Sequence, residues 1–305
     1  MSLNLLRDTE IEHNLRFSNI VRYPLDLAAR RPNKPVKTGP SNSLERALIV
    51  LDRIARKPGG LSNKQISEEL GIATSSCSYV LSRLEREGYL SRNAATGRYE
   101  IGLKVLAIAG GALRQMDFRR VAEPVLRQLA ADTGFDIVMG VLDQERLVIV
   151  SRVATSEFRE VDVDTGTEFP AHATAIGKIL LAHLPKEELQ SLIAKNGLVR
   201  VTEKTITRPD QLFLELEAVR ERGYSTCDEE HTVGLRSVAA PIVDPWGGIP
   251  AALAAAGGLK HPMWEKGMPE VAAIVRAAAR EISRLGRLRW SSTASRASRS
   301  TAPKY

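Results

Sequence analysis

The chain has 305 residues, 43% of them hydrophobic, which is enough to bury two globular cores and large for a single domain. It has no run of 18 apolar residues, which excludes a membrane-spanning helix, and its two cysteines, Cys77 and Cys227, exclude a disulfide framework. The net charge of +7 is uneven: residues 1–100 carry 16 Lys and Arg against 11 Asp and Glu, residues 101–282 carry 21 against 25, and residues 283–305 carry 6 against none.

Such a basic first third beside a mildly acidic middle fits a nucleic-acid module joined to a domain of another kind. The opening "MSLNLLRDTEIEHNLRFSNI" is too acidic and interrupted for a secretory signal, so a cytoplasmic location is expected.

Residues 1–41 lack a sustained period and read as a flexible arm. A helical pattern follows Ser43, with Leu44, Ala47, Leu48, Leu51, Ile54 and Ala55 on one side until "KPGG". Ser62 and Gln65 have the spacing of a capping box, opening a short helix that Gly71 ends.

The next helix, in "LGIATSSCSYVLSRL", sets Cys77, Val80, Leu81 and Leu84 on one side at about 100° per residue. Ser75, Tyr79, Ser82 and Arg86 lie opposite, flanked by Ser78 and Arg83, with no acid among them. Two helices joined by a short Gly-containing turn form a helix-turn-helix, and "GYLSRNAATGRYEIG" reads as the hairpin wing that completes a winged helix-turn-helix over 42–102. The outer face is then a surface for double-stranded operator DNA. Short hydroxyls bond to base edges or phosphates without bulk, and arginines supply charge. The candidate contacts are Lys64, Thr74, Ser75, Ser76, Ser78, Tyr79, Arg83 and, from the wing, Arg98.

Residues 103–119 read as a linker helix whose small, apolar first half suits dimerisation, weakened at Gly110 and Gly111. The second domain is placed over 120–286, helical until Gly134 and α/β from Asp136: strands in "DIVMGVL", "RLVIVSRV", "LRSVAAPIVD" and "IPAALAAAG", with helices in "HATAIGKILLAHL", "KEELQSLIA", "PDQLFLELEAVRERG" and "PEVAAIVRAAAREISRLG". Residues 287–305 form a basic, Ser-rich tail expected to be flexible. The fold class is therefore an α+β multidomain chain.

From Ser43 to Gly286 the chain resembles the IclR family of bacterial transcriptional regulators. The carriers are the winged helix-turn-helix segment, "FPAHATAIGKILLAHLP" and "RGYSTCDEEHTVGLRSVAAPIVD", in the family's order and spacing. The resemblance implies a GAF-like effector-binding domain, a small organic or aromatic acid as effector, no cofactor, and a homodimer or homotetramer. It also implies a pocket with the backbone amides of Ala175 and Ile176, an apolar wall of Phe158, Val161 and Phe169, and Cys227, Ser237, Ala254 and Ala256 from the strands. A helix N-terminus agrees physically with a carboxylate ligand.

Four positions depart from the family pattern: Cys227 stands where an acid is frequent, Ala254 and Ala256 replace two serines, and Tyr79 replaces a frequent arginine. The changes imply a larger, more apolar pocket and an operator of the chain's own.

Two rival classes also bear on these residues. An effector-independent DNA-binding oligomer is favoured slightly by the lost serines. A metal-dependent hydrolase rests on "CDEEH" at 227–231, but this stretch fits a strand end or loop, and neither HExxH nor a CxxC pair occurs.

Overall fold

The computed structural model describes residues 42–143, 145–155 and 163–299. The expected arm at 1–41, together with Phe158 and Val161, lies outside the described residues. The chain forms two compact units, divided in sequence between Gln115 and Met116.

In the first unit, helix α1 (Ser43–Ala55) starts on Asn42, whose side chain accepts from the Glu45 amide at 2.7 Å. Helix α2 (Asn63–Leu70) carries the full capping box: the Gln65 amide donates to Ser62 Oγ and the Ser62 amide to Gln65 Oε1. Such caps contribute about 1 kcal/mol each. Gly71 ends the helix in a left-handed conformation, φ 62°, and α3 (Thr74–Arg86) follows. Strands β1 (Leu90–Arg92) and β2 (Tyr99–Ile101) pair antiparallel as the wing, and Leu61 bridges to Tyr99 as a third short edge. The core is Val50, Ile54, Leu61, Ile66, Leu70, Cys77, Val80, Leu81, Leu90 and Tyr99. Gly60 is required here: its φ is +68°, and a Cβ would lie 2.3 Å from the Tyr99 carbonyl oxygen.

Helix α4 (Leu103–Gln115) runs through Gly110 and Gly111. The break comes at Met116, before α5 (Asp117–Thr133). Met116 and Phe118 already pack on the second core, and Arg119 Nε donates to the Val150 carbonyl at 2.8 Å. The linker helix therefore ends four residues before the expected 119.

The second unit is built on a six-stranded antiparallel sheet. Its strands are β3 (Asp136–Asp143), β4 (Arg146–Val153), β5 (Glu168–Pro170), β6 (Ser225–Asp228), β7 (Leu235–Ile242) and β8 (Ala251–Gly258). They are ordered β5-β4-β3-β8-β7-β6. Alternation divides their side chains. Ile137, Met139, Val238, Ala240, Leu253 and Ala255 pack with α5 and α9 (Met268–Arg299). Leu147, Ile149, Ala239, Ala252 and Ala254 face α6 (Ala175–Ala182), α7 (Lys186–Asn196) and α8 (Pro209–Arg222).

The "HATA" segment does not open as α-helix: Ala171–Ala173 form a 3-10 turn, and Thr174 caps α6 by accepting from the Gly177 amide at 3.0 Å. Helix α9 continues to Arg299, past residue 287 where the basic tail is expected to begin, and residues 300–305 lie outside the described residues. Residues 287–299 contain no glycine or proline, and helix-forming Arg, Leu and Ala carry the turn onward. Among the described residues no helix is long and apolar enough to cross a membrane.

Candidate DNA-reading face and effector cavity

Helix α3 buries Cys77, Val80 and Leu81 and turns Thr74, Ser75, Ser78, Tyr79, Ser82, Arg83 and Arg86 outward. Tyr79 is 62% exposed, large for an aromatic ring with no folding reason to face water. Ser75 and Tyr79 have no side-chain hydrogen bond among the described residues, whereas other hydroxyls are engaged. Ser78 Oγ donates to the Thr74 carbonyl at 2.9 Å and accepts from Asn63 Nδ2 at 2.6 Å. Ser82 Oγ donates to the Tyr79 carbonyl. Thr74 Oγ1 lies 3.4 Å from Ser67 Oγ, and Ser76 is half-buried. Lys64 is exposed on α2, 4.0 Å from Glu68.

Two expected contacts thus have work within the chain. Ser78 ties α3 to α2. Arg98, half-buried, donates from Nη1 to the Gly60 carbonyl at 3.2 Å and so holds the wing on the α1–α2 connection. The exposed arginine of the wing is Arg92, which donates from Nε to the Gly97 carbonyl at 3.3 Å and stacks 5.6 Å from the Tyr99 ring centroid. Arg92 and Arg98 border the same turn, and charge alone does not rank them as DNA contacts.

In the second unit a single cavity gathers Phe169, Ala175, Ile176, Cys227, Ser237, Ala254 and Ala256. It encloses roughly 680 Å³, counting the part open to solvent. The first two amides of α6, those of Ala175 and Ile176, make no hydrogen bond among the described residues, as expected for a helix start. The helix is anchored against β6 by Ser225 Oγ, which donates to the Ala175 carbonyl at 2.5 Å, and by Cys227 Sγ, which donates to the Ala173 carbonyl at 3.4 Å. Burial pushes the Cys227 thiol up, so it stays protonated at neutral pH.

The floor is made of small residues. Ala254 and Ala256 of β8 stand beside Ala239 and Ser237 of β7. Leu147, Ile149, Val138 and Leu235 add aliphatic walls. Phe169 meets the His231 ring edge to face at 4.6 Å, and burial lowers the His231 pKa, favouring the neutral ring. His231 Nδ1 lies 2.9 Å from Thr232 Oγ1.

Arg152 and Asp136, which the sequence reading did not select, also line the cavity and pair at 2.6 Å. His172 does not: it is buried in its 3-10 turn with Nε2 3.0 Å from the Val199 carbonyl, and burial lowers its pKa. The "CDEEH" segment is a strand end and turn, with Glu229 at φ 61°, and among the described residues no three His, Cys, Asp or Glu side chains are grouped to hold a metal.

The sequence matches the model of the IclR helix-turn-helix domain over residues 43–94 and that of the bacterial transcriptional regulator IclR C-terminal region over residues 110–284. The chain belongs to the IclR family. Like the rest of that family it is a transcriptional regulator with a helix-turn-helix DNA-binding domain ahead of an α/β domain. It is 29% identical to the acetate operon repressor of Salmonella typhimurium over 262 residues, 84% of this chain and 95% of that protein. The crystal structure of the Thermotoga maritima IclR superposes with a TM-score of 0.65 at 30% identity, covering 80% of this chain and 99% of that one. An IclR homologue from Microbacterium hydrocarbonoxydans, crystallised with 4-hydroxybenzoate, shares the fold with a TM-score of 0.70 at 22% identity, over 80% of this chain and 99% of that one.

Proposed function

We propose that this IclR-family chain is a cytoplasmic, non-enzymatic repressor whose hold on its operator is modulated by a small aromatic acid in the second unit. The observation that carries the reading is the cavity itself: two helix amides, unpaired among the described residues, at one end of a mainly apolar chamber, with a thiol kept neutral beside them. Amides at a helix start favour a carboxylate, and a floor of alanine methyls accommodates a flat ring better than the serines it replaces. The Microbacterium relative's complex with 4-hydroxybenzoate points the same way.

The active species is a homodimer or homotetramer placing recognition helices in successive major grooves. Leu103, Leu106 and Ile108 on α4, exposed by 84%, 69% and 49%, supply apolar area for a second copy.

The test is fluorescence anisotropy on duplex DNA from the upstream intergenic region against scrambled duplex, repeated with aromatic acids. A specific advantage of roughly 10³ is expected, shifted by an effector by about 5–150-fold, with operator shifting effector affinity by the same factor. Equal effector affinity with and without operator would leave the effector-independent oligomer standing instead.

At the DNA face, Tyr79→Ala and Ser75→Ala are expected to relax discrimination by about 1–3 kcal/mol at one base position, with Lys64, Thr74, Ser76 and Arg83 as surrounding contacts. A uniform loss on all duplexes would remove Tyr79 from base reading. In the wing, Arg92→Ala is expected to weaken all duplexes and lower the salt slope by about 1, with a smaller loss of stability than Arg98→Ala, since Arg92 is exposed and its bond to the Gly97 carbonyl stays within the wing turn. Arg98→Ala is expected to lower the unfolding midpoint as well, since it removes the bond to Gly60. If both variants melt like the parent, Arg98 has no positioning role.

A further inference from the structure

The alternation of β4 carries an irregularity. Ile149 pairs with Gly140 of β3, and Ser151 pairs with the preceding Met139, so Val150 is an extra residue, a bulge that reverses inside and outside beyond it. Leu147 and Ile149 face the cavity. Without the bulge Ser151 would be next; instead Ser151 Oγ donates to Glu123 on α5, and Arg152, in register with Val138, is turned into the cavity.

A lone guanidinium in an apolar chamber would be costly, and Asp136 offsets it. The two side chains are only 16% and 8% exposed. Asp136 Oδ2 accepts from Arg152 Nη2, while Oδ1 accepts from the Thr155 amide at 2.8 Å and Thr155 Oγ1 at 2.9 Å. Arg152 Nη1 donates to the Val163 carbonyl. Asp136 also sits in the row Asp136, Ala256, Ser237, Cys227 across β3, β8, β7 and β6, so the pair closes the cavity at the end of that row away from Cys227.

We propose that Arg152 and Asp136 are the specificity-determining end of the cavity, reading a neutral hydroxyl on the ring of an aromatic monoacid and rejecting a second carboxylate. The proposal rests on the reading of the cavity as an effector site and says which acid it selects.

The logic is one of charge. Two of the five guanidinium N–H groups are used within the chain among the described residues, leaving donors for a ligand oxygen. A hydroxyl accepts from Arg152 and donates to the free lone pair of Asp136 Oδ2, satisfying both members. A carboxylate in the same place accepts from Arg152 but faces the largely buried Asp136 carboxylate, a like-charge contact in a low dielectric.

The experiment is isothermal titration of the full chain with benzoate, 3-hydroxybenzoate, 4-hydroxybenzoate and terephthalate, repeated on Asp136→Asn and Arg152→Met, with ligand-free thermal unfolding as a check on folding. One hydroxybenzoate is expected to bind the parent at least about tenfold tighter than benzoate, and terephthalate weakest. Asp136→Asn releases the arginine and is expected to reverse the order of hydroxybenzoate and terephthalate. Arg152→Met is expected to bring benzoate and the hydroxybenzoates level.

Parent protein that binds benzoate and both hydroxybenzoates alike, or terephthalate best, overturns this assignment while leaving the acid-binding cavity intact. Binding of none of the four overturns both. The parent's ranking of ligands needs no variant, so a misfolded substitution does not shield the proposal.

Discussion

Replacing Lys178 by alanine is expected to destabilise the second unit by about 3–5 kcal/mol, the usual cost of removing one member of a buried ion pair. The side chain is 2% exposed, with Nζ 2.7 Å from Glu230 Oε1 and 3.3 Å from Glu215 Oε1. The two carboxylates are not equally dependent on it. Glu215 also holds Arg222 at 2.8 Å. Glu230 has no other cation within ion-pair distance among the described residues, and its Oε2 is buried without a hydrogen-bond partner. The ammonium is therefore what permits Glu230 to ionise there.

The pH dependence follows from the sign of the Glu230 shift. Burial raises its pKa, and the nearby Lys178 charge pulls it back down. A carboxyl whose folded pKa lies above its unfolded value contributes most while protonated, and that contribution is lost as pH rises through the folded pKa. Without Lys178 the rise is larger, so the loss extends further toward neutral pH. Urea unfolding of Lys178→Ala at pH 5 and pH 8 is expected to show the greater deficit at pH 8. Lys178→Met, which keeps the apolar stem, is expected to share the pH trend with less loss of packing. Equal deficits at the two pH values, or a loss under about 1 kcal/mol at pH 8, would mean that the cluster does not bear on stability as argued.

Lys178 also marks the limit of what the sequence discloses. In "AIGKILLA" it interrupts an apolar helix and gives no sign that its partners come 37 and 52 residues later, from α8 and the turn after β6. The recognition helix was legible because its 3.6-residue period and the Ser62–Gln65 cap are local, and local rules govern them. Most of the cavity was legible only through resemblance. Ala175, Cys227 and Ala254 are distant in sequence, and nothing in spacing alone brings them together.

Arg152 was lost for a sharper reason. Strict alternation from Leu147 and Ile149 points it away from the cavity, and the bulge that reverses it has no compositional signature. The linker shows how little a local weakness decides: the helix passes Gly110 and Gly111 and ends at Gln115. The intrinsic cost of a glycine, about 1 kcal/mol, is small enough for the rest of a helix to carry.

That same propensity sets up the second large effect, at Gly177. On helix propensity alone, Gly177→Ala in α6 stabilises by about 1 kcal/mol. Packing opposes this. A Cβ at Gly177 would lie 2.1 Å from the Ala171 carbonyl oxygen, 2.5 Å from its Cα and 2.6 Å from its carbonyl carbon, all backbone atoms of the preceding 3-10 turn. Backbone cannot rotate aside as a side chain does, so the turn or the helix start must move. Overpacking of this kind costs about 1–3 kcal/mol and occasionally more, and the Gly177 amide would also be drawn off its cap on Thr174. The clash wins. The variant is expected to unfold at lower urea by about 2 kcal/mol, opposite in sign to propensity.

The consequence for function is larger than that figure, because the clash falls between the 3-10 turn and the start of α6, which carries the amides of Ala175 and Ile176. Hydrogen bonds weaken steeply once their geometry is lost, and burying a carboxylate without its donors is costly. Gly177→Ala is thus expected to abolish detectable aromatic-acid binding while operator DNA binding by the first unit persists without effector. Thr174→Val, which removes only the cap, supplies the graded comparison, with a stability loss near 1 kcal/mol and weakened rather than abolished binding. Unimpaired acid binding by Gly177→Ala would place the carboxylate somewhere other than the start of α6.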